Sequence, residues 1–207
     1  MSGSADHNNK GISDKEFFES VKYYKPLCYG GKGSPIFMLN QEWYSSLGCL
    51  AFSDLVYICV MVLFVARYHP DEPSSSGSSY FSIQPQKSDL AKETILLINV
   101  GIFVYLNLTY LLTQFMNPGV INLHTIPDEY YEKNGGKIFC SSCNGYRSKN
   151  KIAHCKHCDV CVWGLDHHCG FFNKCIAGYQ AWAFYGLMLG AFAAFVGALI
   201  TISLGLL

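Results

Sequence analysis

The feature that most constrains this chain is a run of thiols and imidazoles between Cys140 and Cys175. It reads Cys140-Ser-Ser-Cys143, ten residues, His154-Cys155-Lys-His157-Cys158-Asp-Val-Cys161, four residues, Asp166-His167-His168-Cys169, five residues, Cys175. Two cysteines separated by two residues grip one metal ion from a tight turn, and zinc takes four soft or borderline donors in a tetrahedron. The pairs Cys140/Cys143 and Cys155/Cys158 therefore imply two Zn2+ ions, each needing two further donors. His154, His157, Cys161, His167, His168, Cys169 and Cys175 compete for those places, and spacing alone does not assign them. The surplus leaves at least one cysteine and one histidine for another task. Seven of the ten cysteines lie in this stretch, with Cys28, Cys49 and Cys59 scattered outside it. A disulfide framework would spread its cysteines along a small secreted domain, so the clustering reads as metal binding in a reducing compartment.

The rest of the chain is built for a lipid solvent. Charged residues make up 14% and hydrophobic ones 50%, against about 25% charged in an average soluble domain. Fifteen basic residues balance fifteen acidic ones. That balance argues against nucleic acid, which demands a basic surface. The first residues are polar and do not form a cleavable signal peptide.

Residues 1–45 read as a polar segment with one short amphipathic helix. Ser13-Asp-Lys-Glu16 is a capping box, and Phe17, Val21 and Tyr24 follow at helical spacing up to Pro26. Such a helix suits a membrane surface and packing on the protein itself equally well. Tyr29 to Pro35 is a glycine-rich loop without phosphate-loop spacing. Residues 46–66 form the first expected span, with Asp54 towards one end, where it can pair within a bundle. Residues 67–93 are a Ser/Gly/Pro-rich loop, and 94–116 are the second span, ended by Asn117-Pro118-Gly119. Residues 117–180 hold the Cys/His-rich domain, and 181–207 the third span. Gly186, Gly190, Ala194 and the pair Ala193/Gly197 give that span a small-residue packing face, open to other membrane subunits.

Five lysines precede Ser46 and seven Lys/Arg lie in 117–180, against three in 67–93. The positive-inside rule then puts the N-terminus and the Cys/His-rich domain in the cytosol and the C-terminus on the other side. The expected fold is an α-helical multi-pass membrane protein: three transmembrane helices and a small cytosolic two-zinc domain.

The Cys/His spacing and Asp166-His167-His168-Cys169 resemble the cysteine-rich domain of the DHHC-type protein S-acyltransferases (palmitoyltransferases). Asn117-Pro118-Gly119 resembles that family's Asp-Pro-Gly motif, and the resemblance covers roughly residues 95–190. It implies one zinc site of Cys140, Cys143, His154 and Cys161, and a second of Cys155, Cys158, His168 and Cys175. It implies that Asp166, His167 and Cys169 are the catalytic acid, base and nucleophile. His157 matches no family position and reads as a solvated surface residue. By this resemblance Cys169 takes a fatty acyl group from acyl-CoA and passes it to a cysteine of a substrate protein. Such chemistry suits a thiolate beside an imidazole, with zinc as scaffold and the spans holding the acyl chain in the lipid.

Several positions depart from the family pattern. Gly170 stands where the family usually has Pro, Phe171 where it has Trp, and Lys174 and Gln180 where it has Asn. Asn117 replaces an acid, and the interval from Cys143 to His154 is one residue longer. The family has four spans, the fourth followed by a cytosolic Thr-Thr-x-Glu motif, and this chain ends at its third. Two functions are therefore weighed. One is a protein S-acyltransferase of the Golgi/ER endomembranes. The other is a non-catalytic zinc-binding subunit of a larger membrane complex, for example in the mitochondrial inner membrane.

Overall fold

The computed structural model describes residues 13–29, 35–67 and 87–203. The chain divides into two compact units. The first comprises the residues up to Ser46 together with Leu111–Tyr185, and the second comprises Leu47–Tyr110 with the residues from Gly186 onward.

In the first unit, helix α1 (Asp14–Ser20) starts at the expected capping box. The Ser13 hydroxyl accepts from the Glu16 amide at 3.3 Å, and Glu16 Oε2 accepts from the Ser13 amide at 3.1 Å. The helix stops at Ser20, earlier than the spacing of Phe17, Val21 and Tyr24 predicts. Tyr24 instead opens strand β1 (Tyr24–Tyr29), paired antiparallel with β2 (Pro35–Asn40). Pro26 sits inside β1 next to a register shift, where an edge strand tolerates a missing donor. Of the two fates open to the N-terminal helix, packing on the protein is the observed one. Phe18 is buried in a core shared with Tyr24, Met38, Val120, Cys155, Cys158, Val162 and Cys175.

After a single 3-10 turn (Leu123–Thr125) and helix α4 (Asp128–Lys133), three antiparallel hairpins follow. They are β3 (Lys137–Cys140) with β4 (Gly145–Ser148), β5 (Ile152–Cys155) with β6 (Val160–Trp163), and β7 (Leu165–Cys169) with β8 (Lys174–Ala177). Their registers correspond. Cys140 faces Gly145, Cys155 faces Val160, and Cys169 faces Lys174. Each loop has four residues and ends on an Asx residue with positive φ: Asn144 at 47°, Asp159 at 52° and Asn173 at 47°. Asn and Asp tolerate this left-handed backbone where most side chains do not.

The segment 119–121 lies along β6, with an isolated antiparallel bridge between Val120 and Val162. Ile121 N donates to Cys161 O at 3.1 Å and Trp163 N to Gly119 O at 2.8 Å. Gly119 has φ +106°, and a Cβ there would stand 3.1 Å from the Trp163 carbonyl, so both the backbone and the close approach require glycine.

The second unit is helical: most of α2 (Trp43–Arg67), of α3 (Lys87–Phe115) and of α5 (Ala181–Ser203). Helix α3 begins seven residues before the span expected at Thr94. Two helices among the described residues are long and apolar enough to cross a membrane: Glu93–Phe115, with mean hydropathy 2.0, and Ala181–Leu199, with 1.8. Their large side chains point outward (Leu97, Val104, Leu189 and Phe192 are all more than half exposed), so these are not core helices of a soluble domain. Helix α2 covers the other expected span, 46–66, but the side chains at 60 and 63–67, like residues 68–86 and 204–207, lie outside the described residues.

Polar groups in this unit are paired with one another. Asn107 Nδ2 donates to Asp54 Oδ1 at 3.2 Å, and Tyr57 Oη to Asn99 O at 2.9 Å. The small-residue face of α5 is used inside the chain. Tyr105 Oη donates to Gly186 O at 3.0 Å, and a Cβ on Gly190 would stand 2.5 Å from the Tyr105 ring. At these two glycines the face expected to receive another subunit is occupied by α3.

Candidate metal centres and thiol site

The three hairpins hand metal donors from one to the next. The last residue of β3, Cys140, and the third loop residue, Cys143, lie with His154 and Cys161, a facing pair in the following hairpin. Cys155 and Cys158, at the same two positions of the second hairpin, lie with His168 and Cys175, the facing pair of the third. Within each quartet the donor atoms all fall within 4.8 Å of one another. His154 Nδ1 is 3.3 Å from Cys143 Sγ and 3.9 Å from Cys161 Sγ. His168 Nδ1 is 3.3 Å from Cys158 Sγ and 3.7 Å from Cys155 Sγ. These are the eight residues that the resemblance names as ligands.

The electrostatics of the quartets favour a cation. A hydrogen bond from Cys161 holds the Cys143 thiol down at about 6, while that same contact and burial push Cys161 far up. Cys158 is held at about 6 by Cys175, which is pushed up in return. Crowded sulfurs cannot all ionise alone, and a divalent ion at their centre removes the conflict. The two clusters are compatible with two zinc ions, each with four protein donors and no open position, as in structural sites.

The surroundings orient the donors. Asp159 Oδ1 lies 3.6 Å from His154 Nε2, the nitrogen turned away from the quartet. His157 is exposed, as expected, and its ring stacks on His168 with centroids 4.6 Å apart. Tyr24 is fully buried beside the second quartet. Its hydroxyl lies 3.3 Å from Cys158 Sγ and accepts from the Cys175 amide at 2.9 Å. Nothing in the sequence singles out Tyr24 for this place except an aromatic residue next to Tyr23.

Cys169 belongs to neither quartet. Its side chain is half-buried, and among the described residues none hydrogen-bonds to its thiol. Alternation along β7 puts His167 and Cys169 on one face and turns His168 to the other, towards the metal donors. A register irregularity between Leu165 and His167 turns the start of this strand. Asp166 Oδ2 lies 3.5 Å from His167 Nδ1 and accepts from the Tyr185 hydroxyl. Those two contacts, Tyr185 first, hold the Asp166 carboxyl below its ordinary range. The Phe184 ring packs edge-on against His167 at 5.3 Å.

The loop beyond Cys169 is pinned from several sides. Asn40 Nδ2 donates to Phe172 O at 3.0 Å and to Asn173 O at 2.8 Å, while Asn40 Oδ1 accepts from Gln114 at 2.9 Å. Tyr23 Oη donates to Asn173 O at 2.6 Å, and Asn173 Nδ2 donates to Glu42. Lys174, facing Cys169 across the hairpin, is fully buried. Its ammonium donates to the carbonyls of Gln114 and Met116, both at 2.8 Å, at the C-terminal end of α3. Those carbonyls carry the negative end of the helix dipole. Burial lowers the lysine to about 7, and the thiols of Cys175 and Cys158 act in the opposite sense. The sequence marks Lys174 only as a departure from a motif. Its capping of α3 depends on a contact across some sixty residues.

Of two further departures, one has a local explanation. Asn117 Oδ1 accepts from the Gly119 and Val120 amides at 2.8 and 3.0 Å, as a carboxylate would, and its Nδ2 adds a bond to Pro35 O at 2.9 Å. Gly170 has no atom within 4 Å of an added Cβ, so nothing around it demands glycine.

A family profile described as DHHC palmitoyltransferase matches residues 133–206. The palmitoyltransferase ZDHHC5-B of Danio rerio is 28% identical over 119 residues, 51% of this chain and 18% of that protein. The palmitoyltransferase ERF2 of Kluyveromyces lactis is 34% identical over 88 residues, 33% of this chain and 24% of the relative. A probable protein S-acyltransferase 5 of Arabidopsis thaliana is 26% identical over 214 residues, 87% of this chain and 40% of the plant protein. The chain thus spans less than half the length of each of these curated relatives.

Proposed function

We propose that this chain, whose residues 133–206 match the DHHC palmitoyltransferase profile, is a protein S-acyltransferase working through an acyl-enzyme at Cys169. The observation that carries the reading is a half-buried thiol outside both metal quartets, on the same short strand as His167 and Asp166.

His167 takes the proton of Cys169, with Asp166 beside Nδ1 favouring the tautomer that leaves Nε2 free. The thiolate attacks the carbonyl carbon of a fatty acyl-CoA. The bond to the coenzyme sulfur breaks, and that sulfur leaves with the proton from His167. A cysteine of a substrate protein then gives its proton to His167, attacks the Cys169 thioester and departs with the acyl chain. One thioester replaces another at each step, so the demand on the protein is positioning rather than driving force. The four residues of each quartet, Cys140, Cys143, His154 and Cys161, and Cys155, Cys158, His168 and Cys175, would hold one zinc ion apiece. Zinc supplies rigidity there, since four protein donors leave no place for a metal-bound water.

The same reading places three spans in an endomembrane, 46–66 among them, with the zinc unit on the cytosolic side. The basic residues before Ser46 and within 117–180 support that orientation.

The test is autoacylation. Purified chain is incubated with a labelled long-chain acyl-CoA and then treated with neutral hydroxylamine, beside Cys169→Ser. Hydroxylamine-sensitive label absent from the variant is the expected result. No label on protein that retains two zinc ions would make the chain a non-catalytic relative.

A further inference from the structure

The nucleophile's hairpin repeats the backbone of the two metal-gripping hairpins. In all three, a cysteine ends the first strand, four loop residues follow, the last of them is Asn or Asp at φ near +50°, and the second strand begins opposite the cysteine. By that register Cys169 stands where Cys140 and Cys155 stand. The third loop residue is Cys143 in the first hairpin, Cys158 in the second and Phe172 in the third. The facing pair that precedes the loop also corresponds: Phe139 with Tyr146, His154 with Cys161, His168 with Cys175. Each of the first two loops is completed by the His/Cys pair of the next hairpin. No fourth such pair follows Cys169 among the described residues.

We propose that the third hairpin is a metal-gripping turn whose second donor is replaced by Phe172, which makes Phe172 the positioning residue that, with no His/Cys pair following, leaves Cys169 a free thiol rather than a zinc ligand. The side chain suits the task. Phe172 is fully buried, held between Phe171 and Phe184 with ring centroids 5.2 and 6.1 Å away, and its carbonyl is fixed by Asn40. A phenyl ring offers no donor where the sister loops offer a thiolate, and a single cysteine does not retain zinc against competing ligands. The loop keeps the backbone that presents Cys169, and the ring removes the second donor. The proposal rests on Cys169 being the reactive thiol, but metal uptake tests it apart from acyl transfer.

The experiment uses the full chain in detergent with zinc as the probe. Zinc per chain is measured by elemental analysis, and the rate of Cys169 alkylation by iodoacetamide is followed by peptide mass spectrometry, with and without one added equivalent of zinc. The unaltered chain should retain two zinc ions and alkylate Cys169 equally fast under both conditions. Phe172→Cys should take up a third ion, and added zinc should then slow alkylation of Cys169 about tenfold, because a metal-bound thiolate is a poorer nucleophile than a free one. Phe172→His should do the same more weakly. Phe172→Leu, which fills space without a donor, should behave like the unaltered chain. Zinc protection of Cys169 in the unaltered chain would overturn the proposal. So would two zinc ions and unprotected Cys169 in both ligand variants. Loss of the native zinc in both ligand variants while Phe172→Leu retains it would also overturn it, because the argument requires this loop to accept a donor at 172. If instead the metal results hold and no acyl-enzyme forms, the inference about Phe172 stands and the acyltransferase reading falls.

Discussion

The second and third hairpins have nearly the same backbone and give their leading cysteines opposite fates. Cys155 is almost fully buried, in reach of Cys158, His168 and Cys175. Cys169, at the corresponding place, is half-buried and outside every quartet. Loop length, the left-handed Asx residue and the strand register are shared. What differs is one loop side chain, Cys158 against Phe172, and the presence or absence of a following His/Cys pair. The loop of the third hairpin is tied to other elements through Asn40 and Tyr23, and Lys174 just beyond it reaches the end of α3. The second loop carries two metal donors of its own, Cys155 and Cys158, whereas hydrogen bonds from Asn40 and Tyr23 fix the third loop and leave its thiol outside the quartets.

The sharpest break in that contrast comes from the second hairpin. Cys158→Ser should cost a zinc ion and unfold the hairpin array, since structural zinc contributes on the order of 10 kcal/mol to folding. Elemental analysis and thermal unfolding check it. In the third hairpin, Cys169→Ser should abolish acyl-enzyme formation and leave two zinc ions in place. A lost zinc would mean that the two hairpins are not different in kind. Lys174→Ala should destabilise the chain by about 3 kcal/mol, because two carbonyls at the end of α3 lose their shared donor, with the zinc count unchanged in protein that remains folded. Denaturant titration reads this directly. Asp166→Asn should slow autoacylation about a hundredfold, a typical loss for general acid–base partners, again at constant zinc. The smallest effect belongs to Gly170→Ala, expected within about twofold of the parent rate because the added methyl group meets nothing.

The two units were legible to different degrees. Hydropathy alone put spans at 94–116 and 181–207, close to the apolar helices Glu93–Phe115 and Ala181–Leu199, because an apolar helix of that length leaves a strong composition signal. It did not place the start of α3, since Lys87, Ser88, Asp89 and Lys92 are polar and the six residues are too few to carry a periodic signal. The metal donors were legible as a set from Cys-x-x-Cys spacing, while their division into two quartets came from a family resemblance. The strand registers supply its physical reason: each His/Cys pair faces across its hairpin and serves the hairpin before it. The threefold repeat escaped the sequence because its signal is a few residues in a period of 14 or 15, broken in the third copy by Phe172. The β1–β2 hairpin was hidden by Phe17, Val21 and Tyr24, whose helical spacing outlasts the helix. Tyr24 leaves that pattern for a strand, where its hydroxyl meets Cys158 and the Cys175 amide. Lys174 and Asn40 owe their roles to contacts between distant segments, which no local pattern encodes.

Cys169 differs from the other nine cysteines in being a fixed thiol that takes an acyl group while both zinc ions stay bound, and native mass spectrometry tests this most directly. Chain incubated with a long-chain acyl-CoA would be weighed intact and then mapped by peptide. The account predicts two zinc ions and one acyl group on the same molecule, with the acyl group on Cys169. Acyl groups confined to the exposed Cys28, Cys49 or Cys59, or zinc released as the acyl group arrives, would contradict it.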